Sequence, residues 1–75
     1  MKGIGPQILD ILKSELSEPT ARSILDQRCK AVGKDPDTLT LEDVKNIEPR
    51  LLAGVLLFGG AEKATAIKEK LKNLH

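Results

Sequence analysis

Apolar residues recur along this chain at helical spacing, and glycines and prolines cut the recurrence into segments. After Pro6, Ile8, Leu9, Leu12 and Leu16 fall at i, i+1, i+4 and i+8. Proline suits the start of a helix, because the N–H it lacks would have no intrahelical partner there. The pattern predicts a helix over 6–16. Ser17-Glu18-Pro19 repeats the start signal, and Ala21, Ile24, Leu25, Cys29 and Val32 hold a 3.6 period up to Gly33, a left-handed stop. A second helix is expected over 19–32. From Lys34 to Thr40 the chain reads as a connection: Pro36 disfavours helix at Asp35, and Asp37 suits a single tight turn after it. Thr40 as N-cap, Asp43 as the acidic member of a capping box, and Leu39 with Val44 as a hydrophobic staple then start a third helix at 41. Pro49 removes a backbone donor and crowds the preceding turn, so that helix is expected to end at 47.

The next segment is the most unusual. Leu51-Leu52-Ala53-Gly54-Val55-Leu56-Leu57-Phe58 lies between Glu48-Pro49-Arg50 and Gly59-Gly60. It is too short for a bilayer, which needs about 20 residues, and too continuous for a helix with one wet flank. It predicts an apolar helix over 49–58, wrapped by the rest of the chain or by a second molecule, with Leu52, Val55, Leu56 and Phe58 in the central core. On that reading Leu56→Ala costs about 2–5 kcal/mol. Ala61, Ala64, Ile67, Leu71 and Leu74 form a narrow stripe on a last helix, 61–74, and Lys68, Lys70, Lys72 and His75 complement its carboxy-terminal dipole. The expected architecture is all-α: one domain over 1–75, a compact bundle of about five short helices around the apolar central helix 49–58. Neither an internal repeat nor a low-complexity tract is visible.

Composition supports this class. A chain of 75 residues buries only about 60% of its unfolded surface. With no Trp or Tyr and one Phe, its core must be aliphatic, which fits helix packing better than a sheet. Twelve basic residues against 11 acidic ones create no global field toward nucleic acid or an anionic membrane. The charges are nonetheless unevenly placed: acids predominate over 34–50 and lysines over 61–75. A single cysteine makes no intramolecular disulfide. Together with an amino terminus that leads into a charged amphipathic stretch, unlike a signal peptide, it sets a cytoplasmic expectation and no membrane partner.

Candidate chemistry is sparse. His75 is terminal, and Cys29 shares the apolar face of Leu25 and Val32, where a free cysteine acts as a small hydrophobe. Asp35, Asp37, Glu42 and Asp43 suggest calcium, but an EF-hand loop counted from Asp35 puts Thr40 where glycine belongs and Asn46 where the bidentate glutamate belongs. Caps and solvated loop charges account for these acids. Gly33-Lys34 is followed by Asp35, which breaks any P-loop pattern. Ser14 and Ser23 fall in mid-helix and Ser17 precedes Glu18-Pro19, so no serine is placed to carry an acyl-carrier arm. No catalytic residue, metal ligand or cofactor site is expected, and the chain reads as a non-enzyme.

Two glycine turns invite a phosphate reading. Gly3-Ile4-Gly5-Pro6 followed by a helix resembles the hairpin and second helix of the helix-hairpin-helix family of DNA-binding modules. The resemblance covers about the first 16 residues and implies that the amides of Gly3 and Gly5 meet a DNA phosphate. That family places a helix ahead of its hairpin, whereas only Met1 and Lys2 precede it here. Gly59-Gly60, with Lys63 in the following helical turn, offers Gly60 and Lys63 as further phosphate contacts, opposed by Glu62.

Two functions follow as expectations. The first is a protein-interaction module, self-associating as a homodimer, because Ile11, Leu52 and Leu57 are hard to place together inside so small a monomer. Leu57, Leu71 and Leu74 are its interface candidates. The alternative is a nucleic-acid-binding module that uses the glycine turns and the lysine-rich last helix, with steep salt dependence.

Overall fold

The computed structural model describes residues 3–74. Met1, Lys2 and His75, with the expectations that rest on them, lie outside the described residues. Three helices, α1 (Ile4–Glu15), α2 (Glu18–Ala31) and α3 (Leu41–Leu71), make an all-helical fold. The expected five helices are therefore three: helix continues through Pro49, and the expected break at Gly59-Gly60 is present at Gly60 as a kink within one continuous element.

The α1–α2 hairpin follows the sequence closely. Ile8 and Leu12 of α1 and Ala21, Ile24, Leu25 and Cys29 of α2 are buried, as their spacing requires. Helix α1 starts two residues before the expected position, with Gly3 as N-cap and Pro6 still within the first turn, where the missing N–H is harmless. Leu16 and Ser17 alone separate the helices, which forces them to run back along each other. Glu18 fastens this corner, receiving Arg22 at 3.1 Å and lying 3.6 Å from Lys13.

Gly33 ends α2 in the expected way. Its φ of 72° is left-handed, and the Lys34 N–H donates to the Cys29 carbonyl while the Gly33 N–H donates to that of Lys30. That pair of bonds is a Schellman motif. In the connection, the Asp35 carboxylate accepts from the Asp37 and Thr38 amides at 3.1 Å, closing the turn around Pro36. The capping box forms as expected: the Asp43 amide donates to the Thr40 hydroxyl at 3.2 Å, and the Thr40 amide donates to the Asp43 carboxylate at 3.1 Å. Leu39 and Val44, the staple pair, are both buried.

Pro49 does not terminate the helix. Val44, Ile47, Leu51 and Val55 are all buried, a stripe at 3, 4 and 4 residue intervals that runs straight past the proline. An interior proline costs about 3 kcal/mol, whereas each fully buried aliphatic side chain contributes about 1.5–3 kcal/mol. Four of them on one face outweigh the proline. Pro49 and Lys45, whose carbonyl loses its partner, both face solvent, so water can complete that carbonyl.

The real discontinuity is Gly60, at φ 83° and ψ 176°, the one non-helical position inside α3. A straight helix of 31 residues would be about 46 Å long at 1.5 Å per residue, yet the longest dimension of the molecule is 28 Å. The bend turns the following arm across α1. There the Lys70 ammonium donates to the Ser14 hydroxyl and lies 3.8 Å from Glu15, while Ile67 and Leu71 enter the core. One cluster of buried side chains collects residues from all three helices. Among the described residues no helix is long and apolar enough to cross a membrane.

The run 51–58 is not wrapped on all sides. Leu51 and Val55 are fully buried and Leu52 is half-buried, but Leu56 and Phe58, expected in the core, are 51% and 69% exposed. With 51 and 55 turned inward, the helical period of about 100° per residue carries 56 and 57 off that face; it returns Phe58 toward it, but the chain bends away at Gly60 two residues later and leaves Phe58 uncovered. The cost expected for Leu56→Ala falls accordingly, to under about 1 kcal/mol for a half-exposed site.

Two glycines separate conformational need from packing need. Gly60→Ala puts a side chain into a backbone region open essentially only to glycine and should cost about 1–3 kcal/mol. At Gly54 a β-carbon would meet Ile24 at an ordinary 3.7 Å, so Gly54→Ala should stabilise by up to about 1 kcal/mol through helix propensity. Urea titrations of both variants check the pair; equal effects would contradict the bend. Thr40→Ala should cost about 0.5–2 kcal/mol. The Thr40 backbone amide first, then the Thr40 hydroxyl and the charge of Lys34, hold the Asp43 carboxyl below its ordinary pKa. Its contribution is thus complete above the ordinary aspartate value of about 3.9 and is lost as the pH falls through the depressed one. Melts of wild type and Asp43→Asn should accordingly converge in acid.

Candidate functional site

The outer face of α3 just ahead of the bend is the most distinctive surface of the molecule. Leu57 is 85% exposed, and it stands between Leu56 and Phe58. These three residues owe their exposure to Gly60. The chain turns away two residues after Phe58, so the following arm packs on α1 and leaves the outer face of the preceding arm uncovered. Single exposed leucines are common, whereas three consecutive large apolar side chains left exposed are less usual.

Beside this patch a cleft of about 260 Å³ opens between α2 and α3. Its apolar lining comes from Ile24, Ala53, Gly54, Leu57 and Phe58, and its polar lining from Gln27, Arg28 and Arg50. Ile24 lies close to Gly54 here. The absence of a side chain at Gly54 gives the cleft its depth. Among the described residues neither Arg28 nor Arg50 has an ion-pair partner, and no carboxylate lines the cleft. Lys13, Arg22, Lys34, Lys70 and Lys72 are each paired with an acid, whereas Lys30, Lys45, Lys63 and Lys68, like Arg28 and Arg50, have no ion pair among the described residues.

The three interface candidates do not come together. Leu57 stands on the outer face of α3, Leu71 is buried in the core, and Leu74 is half-buried in a shallow groove with Gln7 and Ile11. Leu71 supports the fold, and Ile11, which looked surplus, is accommodated against the core together with Leu52. The wheel position of Leu57 was legible in the sequence. The polar lining was not, because Arg28 and Arg50 reach one cleft only through the packing of α2 on α3.

The phosphate candidates also lie apart. Ile4 and Gly5 are already helical, so the Gly3-Ile4-Gly5 sequence forms the first turn of α1 and is no hairpin. Gly5 is buried, and a β-carbon there would collide with the Pro36 carbonyl. Close approach of α1 to the 34–40 connection is thus what this glycine provides. Gly60 and Lys63 sit at the opposite end of α1, since the adjoining Gly59 lies against Leu16, with the Lys63 stem folded over it. Helix α1 is about 18 Å long, so the two glycine turns do not build one site.

Cys29 lies on the buried face of α2 at 1% exposure. Burial first, and then the charges of Asp26, Asp35 and Asp43, push its thiol up to about 11. The acids considered for calcium are occupied in turns and caps: Asp35 closes its own turn, and Asp43 serves Thr40 and lies 3.7 Å from Lys34. Among the described residues no cluster of three or more His, Cys, Asp or Glu is arranged to hold a metal ion.

Comparison with known proteins finds no family model, no curated protein and no solved structure that matches this chain.

The protonated, buried thiol leads to a direct expectation. Iodoacetamide at neutral pH should label Cys29 only as fast as the fold opens, and addition of urea should accelerate labelling steeply. Mass spectrometry of the time course checks this; rapid labelling of the native protein would contradict the packing of α2.

Proposed function

We propose that this chain is a small protein-interaction module that works by binding, without catalysis, through the outer face of α3. The observation that carries this reading is the consecutive exposure of Leu56, Leu57 and Phe58 beside an open apolar cleft. These side chains contribute little to the fold in their exposed positions, yet they are among the largest hydrophobes in the chain. A partner that covers them gains roughly 25 cal/mol for each Å² of apolar surface removed from water.

Self-association is one form of this function, and the face is available to a second copy. Sedimentation equilibrium of wild type and the double variant Leu57→Ser/Phe58→Ser tests it. Each of these substitutions should change stability by no more than about 0.5 kcal/mol, as surface replacements do. A concentration-dependent mass that the double variant abolishes identifies a homodimer through this face. A constant monomer mass directs the face to another protein. Selection of displayed peptides on wild type then tests the module itself: binders should lose affinity for the double variant. Binders indifferent to the double variant would refute the assignment of the face.

A further inference from the structure

The charge around the cleft specifies what kind of segment it takes. Resting on the proposed interaction role of the same face, we infer that its occupant is an amphipathic helix of a different protein, with leucine-like residues on one flank and carboxylates beside them.

Three observations lead there. The cleft opens between α2 and α3, where Ile24 lies close to Gly54, and its apolar lining suits side chains spaced along a helix. It is lined by Arg28 and Arg50, both without an acidic partner among the described residues, and they are the two arginines of the chain left so, since Arg22 is held by Glu18. No carboxylate lines the cleft itself. An apolar cleft with two unspent guanidinium groups is complementary to an acidic amphipathic helix, since guanidinium binds carboxylate in a planar, two-pronged fashion.

The same charges disfavour a second copy as occupant. A two-fold dimer pairs a patch with itself. Closing this face on its own image would bring Arg28 and Arg50 toward their counterparts, with no carboxylate from the cleft to separate them. Like charges facing each other across an interface oppose association.

The test uses two synthetic peptides of about 18 residues, long enough to form helix. One carries leucines at i, i+3, i+4 and i+7 flanked by glutamates, and the other has lysines in place of the glutamates. Titrated into the ¹⁵N-labelled full chain at low salt, the leucine–glutamate peptide should shift amides of 24–28 and 50–58. It should bind at least about 10-fold more tightly than its lysine counterpart, and added salt should narrow the gap. Arg28→Gln/Arg50→Gln should remove the preference while leaving the thermal melt in place. Leu57→Ser/Phe58→Ser should weaken both peptides. Equal binding of both peptides on this face would overturn the charge selection and leave the interaction face standing. Absence of shifts at 56–58 with either peptide would overturn both. A stable homodimer lost in Leu57→Ser/Phe58→Ser would replace the foreign helix with a second copy.

Discussion

The positive φ of Gly60 is the constraint on which the remaining packing depends. Upstream of it, Val44, Ile47, Leu51 and Val55 face inward; downstream, Ile67 and Leu71 do so from a differently directed arm. A straight helix presents its apolar residues along one line and would carry the last two far beyond α1 and α2. The bend allows a single helix to cover the α1–α2 hairpin from two directions, closing a core in a molecule whose radius of gyration is 10.9 Å. Because the backbone there lies where L-residues are strained, no other residue type could hold the angle at so small a cost.

The exposed apolar face of α3 is a by-product of the same geometry. A chain this small has limited means of burying large side chains, and the arm beyond Gly60 is committed to α1, where Lys70 engages Ser14 and Glu15. The outer quadrant of the preceding arm consequently has no intramolecular cover. The open cleft and the buried core are thus two outcomes of one choice of direction at Gly60, and the leucines that are absent from the core are the ones that line its outside.

Much of the fold was legible where local chemistry sets the outcome. The Schellman stop at Gly33, the Thr40–Asp43 box and the inward faces of α1 and α2 all rest on residues within a few positions of one another. Reading failed where a local signal met a longer-range one. Pro49 looks like an end, yet the stripe from Val44 to Val55 continues through it, and four buried side chains outweigh one missing hydrogen bond. Gly59-Gly60 looks like a pair of stops, but only Gly60 leaves helical geometry. The run 51–58 looks uniformly core because composition carries no direction; once Leu51 and Val55 are assigned inward, the exposure of Leu57 follows from the helical period. That Arg28 and Arg50 line one cleft depends on the packing of α2 on α3 and has no sequence signature.

The placement of Ile67 and Leu71 bears on how the protein is made. Ile8 and Leu12 are synthesised early, yet the arm that crosses α1 emerges from the ribosome more than fifty residues later, as the 56-residue separation between Ser14 and Lys70 illustrates. Until then, the α1–α2 hairpin can form only a partial core and must present its aliphatic face to the cellular surroundings. Closure of the core over α1 therefore waits for residues 67–71, and a chain that stops before residue 67 lacks the cover that Ile67 and Leu71 give it.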